Sequence, residues 1–162
     1  MIEVYKKYFK DYSMNIIDTW DEPNIREFKG KLVKGRPTRG FGSSSFEYAG
    51  KLYEPEPWNE VMYELKQKSE KLLWLELGID KLLTFCLCGY YGVDGKGLPH
   101  HSDTVPTLDD CVVSISLGAP RMFVQRTYQN PVKEHTNTSE IETEKENFKI
   151  DEKFYLLEHG DV

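Results

Sequence analysis

Between residues 58 and 78 the apolar positions return at helical spacing. Val61, Met62, Leu65, Leu72 and Leu73 lie on one face together with Ser69 and Glu76, and Glu and Lys fill the opposite face. Pro57 suits a first helical turn and Gly78 a stop, so a supporting helix over 58–78 is predicted, lying behind a sheet. From about Leu82 the period changes to two. Leu83, Phe85, Leu87, Gly89 and Tyr91 alternate with Thr84, Cys86, Cys88 and Tyr90, and both sets are fairly apolar, as in the middle of a sandwich. After a turn-rich loop with Gly92, Asp94, Gly95 and Gly97, residues 111–117 form a β-branched run. Ser114 and Ser116 share one of its faces; Val113, Ile115 and Leu117 share the other. Residues 121–128 read as a return strand and 148–157 as a further one.

The flanks are less regular. Val4, Tyr8 and Tyr12 recur at helical spacing and predict a short amphipathic helix within 1–20; Asp21 to Asn24 is a turn. Residues 129–147 are polar and acidic, with almost no apolar content, and read as a long solvent-exposed insertion. A helix followed by short strands separated by turn signals predicts an α+β, mainly β fold with a double-sheet jelly-roll core.

Composition narrows the class. At 162 residues, with 39% hydrophobic and 13% aromatic content, the chain reads as a single domain with a core of its own. No apolar run is long enough to span a membrane and nothing resembles a signal peptide. Cys86, Cys88 and Cys111 are an odd number, two of them on one strand, so they predict free buried thiols in a reducing, intracellular compartment rather than a disulfide framework.

The net charge of −6 argues against a uniformly basic nucleic-acid binder, yet the charge is uneven. From Phe28 to Phe46 there is no acid, while Lys29, Lys31, Lys34, Arg36 and Arg39 are basic and Phe41, Phe46 and Tyr48 are interleaved or adjacent. Such a stretch suits phosphate contacts with stacking on an exposed base. It suits equally a solvated loop whose charges balance acids elsewhere.

Candidate chemistry centres on the segment from Leu98 to Asp103. His101-x-Asp103 lies between two predicted strands, and residues two apart on a strand project to the same side. An imidazole and a carboxylate side by side are two members of the 2-His-1-carboxylate triad that holds Fe(II) with positions left open. A lone H-x-D is a weak signal that is more often a structural or surface pair than a metal site. His100 has no carboxylate two residues on and reads as structural.

The order of motifs adds to this. A Tyr-bearing strand ending at Tyr91, then His101-x-Asp103, then Val113-Ser-Ile-Ser-Leu-Gly118, Arg121-Met-Phe123 and Leu157-Glu-His-Gly-Asp-Val162 resembles the AlkB-like Fe(II)/2-oxoglutarate dioxygenases. Upstream, Arg36-Pro-Thr-Arg-Gly-Phe-Gly42, Phe46-Glu-Tyr48, Tyr53 and Pro55-Glu-Pro-Trp58 resemble that family's nucleotide-recognition lid and the helix after it. The resemblance spans roughly residues 30 to 162. It implies a double-stranded β-helix core, preceded by N-terminal helices and a lid. The parts would be an N-terminal segment 1–28, a basic lid 29–57, the supporting helix 58–78 and a partial jelly roll 82–162 carrying the insertion 129–147.

It also implies Fe(II) as cofactor and 2-oxoglutarate and O₂ as co-substrates. His101 and Asp103 would be metal ligands and catalytic, Tyr91 and Ser114 would bind the co-substrate, and Arg36, Arg39 and Tyr48 the substrate. The implied activity is oxidative demethylation of alkylated bases in DNA or RNA. The alternatives are an inactive jelly-roll module that binds nucleic acid, and a hydroxylase of a modified tRNA base or another substrate.

The chain departs from the family pattern in three places. Where the family has Asn-x-Tyr before H-x-D, this chain has Gly89-x-Tyr91. Where many repair members have an acid two residues after the metal Asp, it has Val105. The distal metal His and the Arg for the far carboxylate of 2-oxoglutarate are expected after Val162, so the fold as it stands here is expected to be C-terminally incomplete. Neither His135, in the polar insertion, nor His159, before the Gly-Asp turn, is expected to replace that His.

Overall fold

The computed structural model describes residues 2–23, 25–28, 30–48, 51–92, 97–98, 100–101, 111–128 and 149–162. The chain divides into two compact units, one of Ile17–Gly97 and one of Met1–Ile16 with Leu98–Val162. Among the described residues the architecture is mainly β with one long helix, and the sheets are two-stranded.

In the Ile17–Gly97 unit, β1 (Ile25–Phe28) and β2 (Lys31–Lys34) form an antiparallel hairpin. The predicted lid stretch is therefore largely strand rather than loop. Its next part, β3 (Thr38–Gly42), is more deeply placed than its sequence suggests, with Thr38, Gly40, Phe41 and Gly42 all buried. After it come β4 (Phe46–Tyr48) and β5 (Lys51–Tyr53), a second hairpin. The Phe46 ring stacks on Phe85, 5.0 Å between centroids.

The helix, α1 (Glu60–Leu77), starts later than Pro57 implies. Asn59 is its N-cap and its side chain accepts the Met62 N–H at 2.9 Å. Gly78, in the left-handed region, closes it: Gly78 N–H reaches the Trp74 carbonyl and Ile79 N–H the Leu73 carbonyl, each at 3.1 Å. Met62, Leu65, Ser69, Leu72 and Leu73 are buried, which is the predicted face without Val61 and Glu76. Burying each of the large apolar side chains contributes about 1.5–3 kcal/mol. Ser69 avoids an unsatisfied hydroxyl by donating to the Leu65 carbonyl at 2.8 Å. Glu70 accepts from Lys66 at 2.6 Å and from the Leu83 N–H at 2.7 Å, which fixes the approach to β6 (Phe85–Gly89).

β6 pairs antiparallel with β3, Thr38 opposite Gly89 and Gly42 opposite Phe85. Beyond the ladder, Tyr90 N–H donates to the Pro37 carbonyl at 3.0 Å, so residues 36 and 91 come out at the same end of the pair.

In the other unit, β7 (Arg121–Tyr128) and β8 (Lys149–Leu157) pair antiparallel, Arg121 opposite Leu157. Both strands were expected. The helix expected within 1–20 is absent from the described residues: 6–12 form turns, because Lys7 at φ 56° leaves the right-handed helical region. Phe9, not Tyr8, is the fully buried side chain there. The run 111–117 has no strand partner among the described residues. Ser116 instead exchanges backbone hydrogen bonds with the C-terminal turn, to the Asp161 carbonyl at 2.9 Å and from the Gly160 N–H at 2.7 Å.

Gly160, at φ 84°, is required there twice over. A Cβ would collide with the backbone of Phe9 and Lys10, whose Phe9 N–H donates to the Gly160 carbonyl at 2.8 Å. The fully buried Asp161 carboxylate completes the turn by accepting from Lys6 Nζ at 2.7 Å, Lys7 N–H at 2.9 Å and Glu158 N–H at 2.8 Å.

Candidate functional site

The β3–β6 pair positions the first group of predicted residues. Gly89 ends β6, and the Arg36 side chain lies against it: a Cβ at position 89 would stand 2.5 Å from Arg36 Nε and 3.4 Å from Cζ. The guanidinium also covers the Tyr91 ring, 4.8 Å from Cζ to the centroid. Arg36 Nε is buried and has no hydrogen-bond partner among the described residues. A buried donor left in that state costs about 1–3 kcal/mol, more when it is charged. The structure therefore brings together Arg36 and Tyr91, predicted respectively for substrate and co-substrate, through a glycine that the sequence marked only as a missing Asn.

Arg39 is placed differently. Its Nε and Nη2 meet the two Glu56 oxygens at 2.7 and 2.8 Å. Its Nη1 donates to the Thr19 carbonyl at 3.0 Å and the Thr19 hydroxyl, and lies 3.4 Å from Asp18. The bond to Glu56 raises the Arg39 pKa, against the opposing effect of burial, and the same bond holds the Glu56 carboxyl below its ordinary range. Glu56 is itself fixed by backbone bonds to Gly40 and Gly42, both 2.9 Å. Sequence reasoning missed Asp18, Thr19 and Glu56 as partners of this Arg. Tyr48 lies in β4, and its side chain is outside the described set.

Cys86 and Cys88 are free thiols on one face of β6 with their sulfurs 3.8 Å apart, and Cys111 is also free, as expected.

In the second unit His100 and His101 are half-buried, and Asp103 lies outside the described residues, as do Val105 and His135. Ser114 is exposed, as is Val112. Among the described residues no three His, Cys, Asp or Glu side chains cluster as a metal site. His159 is a structural residue: Gly118 N–H donates to its Nδ1 at 3.0 Å, so Nε2 carries the proton and donates to the Lys10 carbonyl at 3.1 Å. With both ring nitrogens so engaged, it offers no lone pair to a metal.

The ordered motifs and the mainly β architecture define a class, and comparison with known proteins agrees: residues 29–162 match the model of the 2OG-Fe(II) oxygenase superfamily. The chain belongs to that family. Within it, the chain is similar to alpha-ketoglutarate-dependent dioxygenase alkB homolog 3 of Mus musculus and of Rattus norvegicus, 29% identical to each over 99 residues, which is 59% of this chain and 32% of each relative. The aligned stretch thus spans about a third of the length of the curated relatives it matches. The cofactor of the family is Fe(II), and its co-substrates are 2-oxoglutarate and O₂.

The residues present suit the co-substrate. A dicarboxylate needs cationic donors, and the orphaned Arg36 Nε beside Tyr91 is such a donor. For the iron, an imidazole and a carboxylate at 101 and 103 are the donor types that Fe(II) takes.

Proposed function

We propose that the chain is a dioxygenase domain that oxidatively demethylates alkylated bases in DNA or RNA. The observation that carries this reading is the similarity to the two alkB homologues within the oxygenase family, together with the acid-free basic run from Lys29 to Arg39. By the family pattern His101 and Asp103 would hold the Fe(II), and Tyr91 and Ser114 would bind the co-substrate. Fe(II), 2-oxoglutarate and O₂ together supply the oxidation of an N-methyl carbon, which then leaves the base as formaldehyde.

The chain's own residues bind and orient the nucleic acid. Lys31 and Lys34 on β2 and Arg39 on β3 carry positive charge in the lid stretch, and by sequence Tyr48 is the stacking candidate. Among the described residues no helix is long and apolar enough to cross a membrane.

The test is turnover by the full-length protein with Fe(II), 2-oxoglutarate and methylated DNA or RNA oligonucleotides, read by mass spectrometry of the bases. Loss of the methyl group, abolished in His101→Ala and Asp103→Ala, supports the reading. Binding of oligonucleotides without any turnover of 2-oxoglutarate would replace it with a non-catalytic binding module. Turnover with no change in any base would move the substrate outside nucleic acid.

A further inference from the structure

We propose that Arg36 is a co-substrate residue in this chain, its guanidinium taking a carboxylate of 2-oxoglutarate from the place left by the missing side chain at Gly89. The inference rests on membership of the oxygenase family and not on demethylation of bases.

Three independent observations converge on it. The first is the space at position 89. Gly89 ends the strand that leads to Tyr91, and any side chain there would meet Arg36 at Nε, Cδ and Cζ. Glycine inside or at the end of a strand marks close approach of another group, and here that group is a cation arriving from fifty-three positions earlier (89 minus 36). The second is orientation. The guanidinium lies over the Tyr91 ring at 4.8 Å, which holds its plane against an aromatic face and restricts its rotamers. The third is the unmet donor, the buried Nε with no acceptor among the described residues. Native structures rarely leave a buried charged donor without a partner, and one that does so is a ready site for an anion.

The occupant is argued from charge and from the family's co-substrate. Arg39, three residues on from Arg36, is already neutralised by Glu56. For Arg36, by contrast, the buried Nε has no hydrogen-bond partner among the described residues. A guanidinium edge matches a carboxylate in two-point geometry, and 2-oxoglutarate is the carboxylate that this family binds. The amide absent at position 89 would have given one neutral hydrogen bond; Arg36 gives a charge-assisted one in the same neighbourhood. A Gly at 89 and an Arg at 36 are thus parts of one arrangement: each is useful only with the other.

The test is the affinity of the full-length protein for 2-oxoglutarate under anaerobic conditions with Mn(II) in place of Fe(II), measured by calorimetry, for wild type, Arg36→Met, Arg36→Lys, Gly89→Ala and Arg36→Met/Gly89→Ala. The expected result is a Kd raised about tenfold or more in Arg36→Met. Arg36→Lys should recover part of the loss. Gly89→Ala should lose affinity by expelling Arg36, and the double variant should be no worse than Arg36→Met alone. Melting temperatures of each variant separate this from unfolding, and Arg36→Lys and Gly89→Ala keep the test alive if Arg36→Met does not fold. A Kd within twofold of wild type in folded Arg36→Met would overturn the proposal, as would a loss confined to oligonucleotide binding. Fully additive effects of the two substitutions would also overturn it. Failure to demethylate any base, with the Kd pattern as expected, would remove the substrate reading and leave Arg36 where it is placed here.

Discussion

Arg39 and Glu56 meet through two bonds, Nε to Oε1 at 2.7 Å and Nη2 to Oε2 at 2.8 Å, and Arg39 is the last cation of the acid-free basic run. The pair does two things. It pins β3 to the segment before α1, alongside the backbone bonds of Glu56 to Gly40 and Gly42. It also withholds one positive charge from any nucleic acid that approaches.

Glu56→Gln is therefore expected to tighten binding of short DNA or RNA strands and to steepen its salt dependence, because it releases the Arg39 charge. Arg39→Ala should weaken binding, because it leaves the Glu56 carboxylate unpaired beside the basic run. Fluorescence anisotropy over a salt series reads both. Equal affinities in all three proteins would show that Arg39 serves the fold alone. Because the Glu56 pKa is lowered, the stability it contributes is present at neutral pH and is lost as pH falls through the region below the ordinary glutamate range. Glu56→Gln should remove that acid-limb dependence.

The fully buried Asp161 carboxylate predicts a second acid-sensitive contact. Burial by itself raises its pKa, but the bonds from Lys6 and from the Glu158 and Lys7 N–H groups outweigh burial, and the net shift is downward. Its stabilising contribution is thus complete at neutral pH and fades as pH drops through the range below ordinary aspartate values. Asp161→Ala leaves the Lys7 and Glu158 N–H groups without an acceptor and is expected to destabilise by about 2–3 kcal/mol in urea unfolding at pH 7. The difference from wild type should shrink in acid; a constant difference from pH 7 down to the acid transition would contradict the assignment.

His159 supplies a test of the metal assignment that does not depend on turnover. Its ring bridges Gly118 and Lys10. Replacing it with Ala should lower stability by about 1–3 kcal/mol for the two lost bonds while leaving the iron content of the full-length protein unchanged. His101→Ala should do the reverse: little effect on the melting temperature without metal and a loss of bound iron. Iron lost on removal of His159, with the fold intact, would place it among the ligands.

What the sequence made legible was local. The face of α1 could be read from spacing because burial of Met62, Leu65, Leu72 and Leu73 follows directly from the helical period. β6 was legible from alternation, β7 and β8 as strand-like runs between turn signals, and the oxygenase family from the order of motifs. The failures are non-local or conformational. Lys7 at a positive φ broke the N-terminal helix, a conformation that no periodicity announces. Residues 111–117 kept the alternation of a strand, but Ser116 pairs with Gly160 and Asp161, forty-odd residues away. In the candidate site, His101-x-Asp103 could be read as a spacing, whereas the seating of Arg36 on Gly89 could not. The only sign of it was a glycine at a strand end where the family pattern has an amide. That Arg39 is bound by Glu56 was equally hidden, since a basic run with no acid inside it says nothing of acids that fold back onto it.

The helix face gives a last prediction that links the core to the site. Leu72→Ala should cost about 2–5 kcal/mol, since Leu72 is buried, whereas Val61→Ala, on the same predicted face but left partly exposed, should stay within about 0.5 kcal/mol. Asn59→Ala should cost about 1 kcal/mol through loss of the cap. Glu70→Ala acts otherwise. It frees the Leu83 N–H from its acceptor just before β6, the strand that ends in Gly89 and leads to Tyr91. Hydrogen exchange should accelerate at Leu83 more than at the helix amides in that variant, and the affinity for 2-oxoglutarate should fall with it if the strand's entry fixes its end. Faster exchange along α1 with Leu83 still protected would mean that Glu70 supports the helix and not the strand, and that β6 is held in place by its ladder with β3.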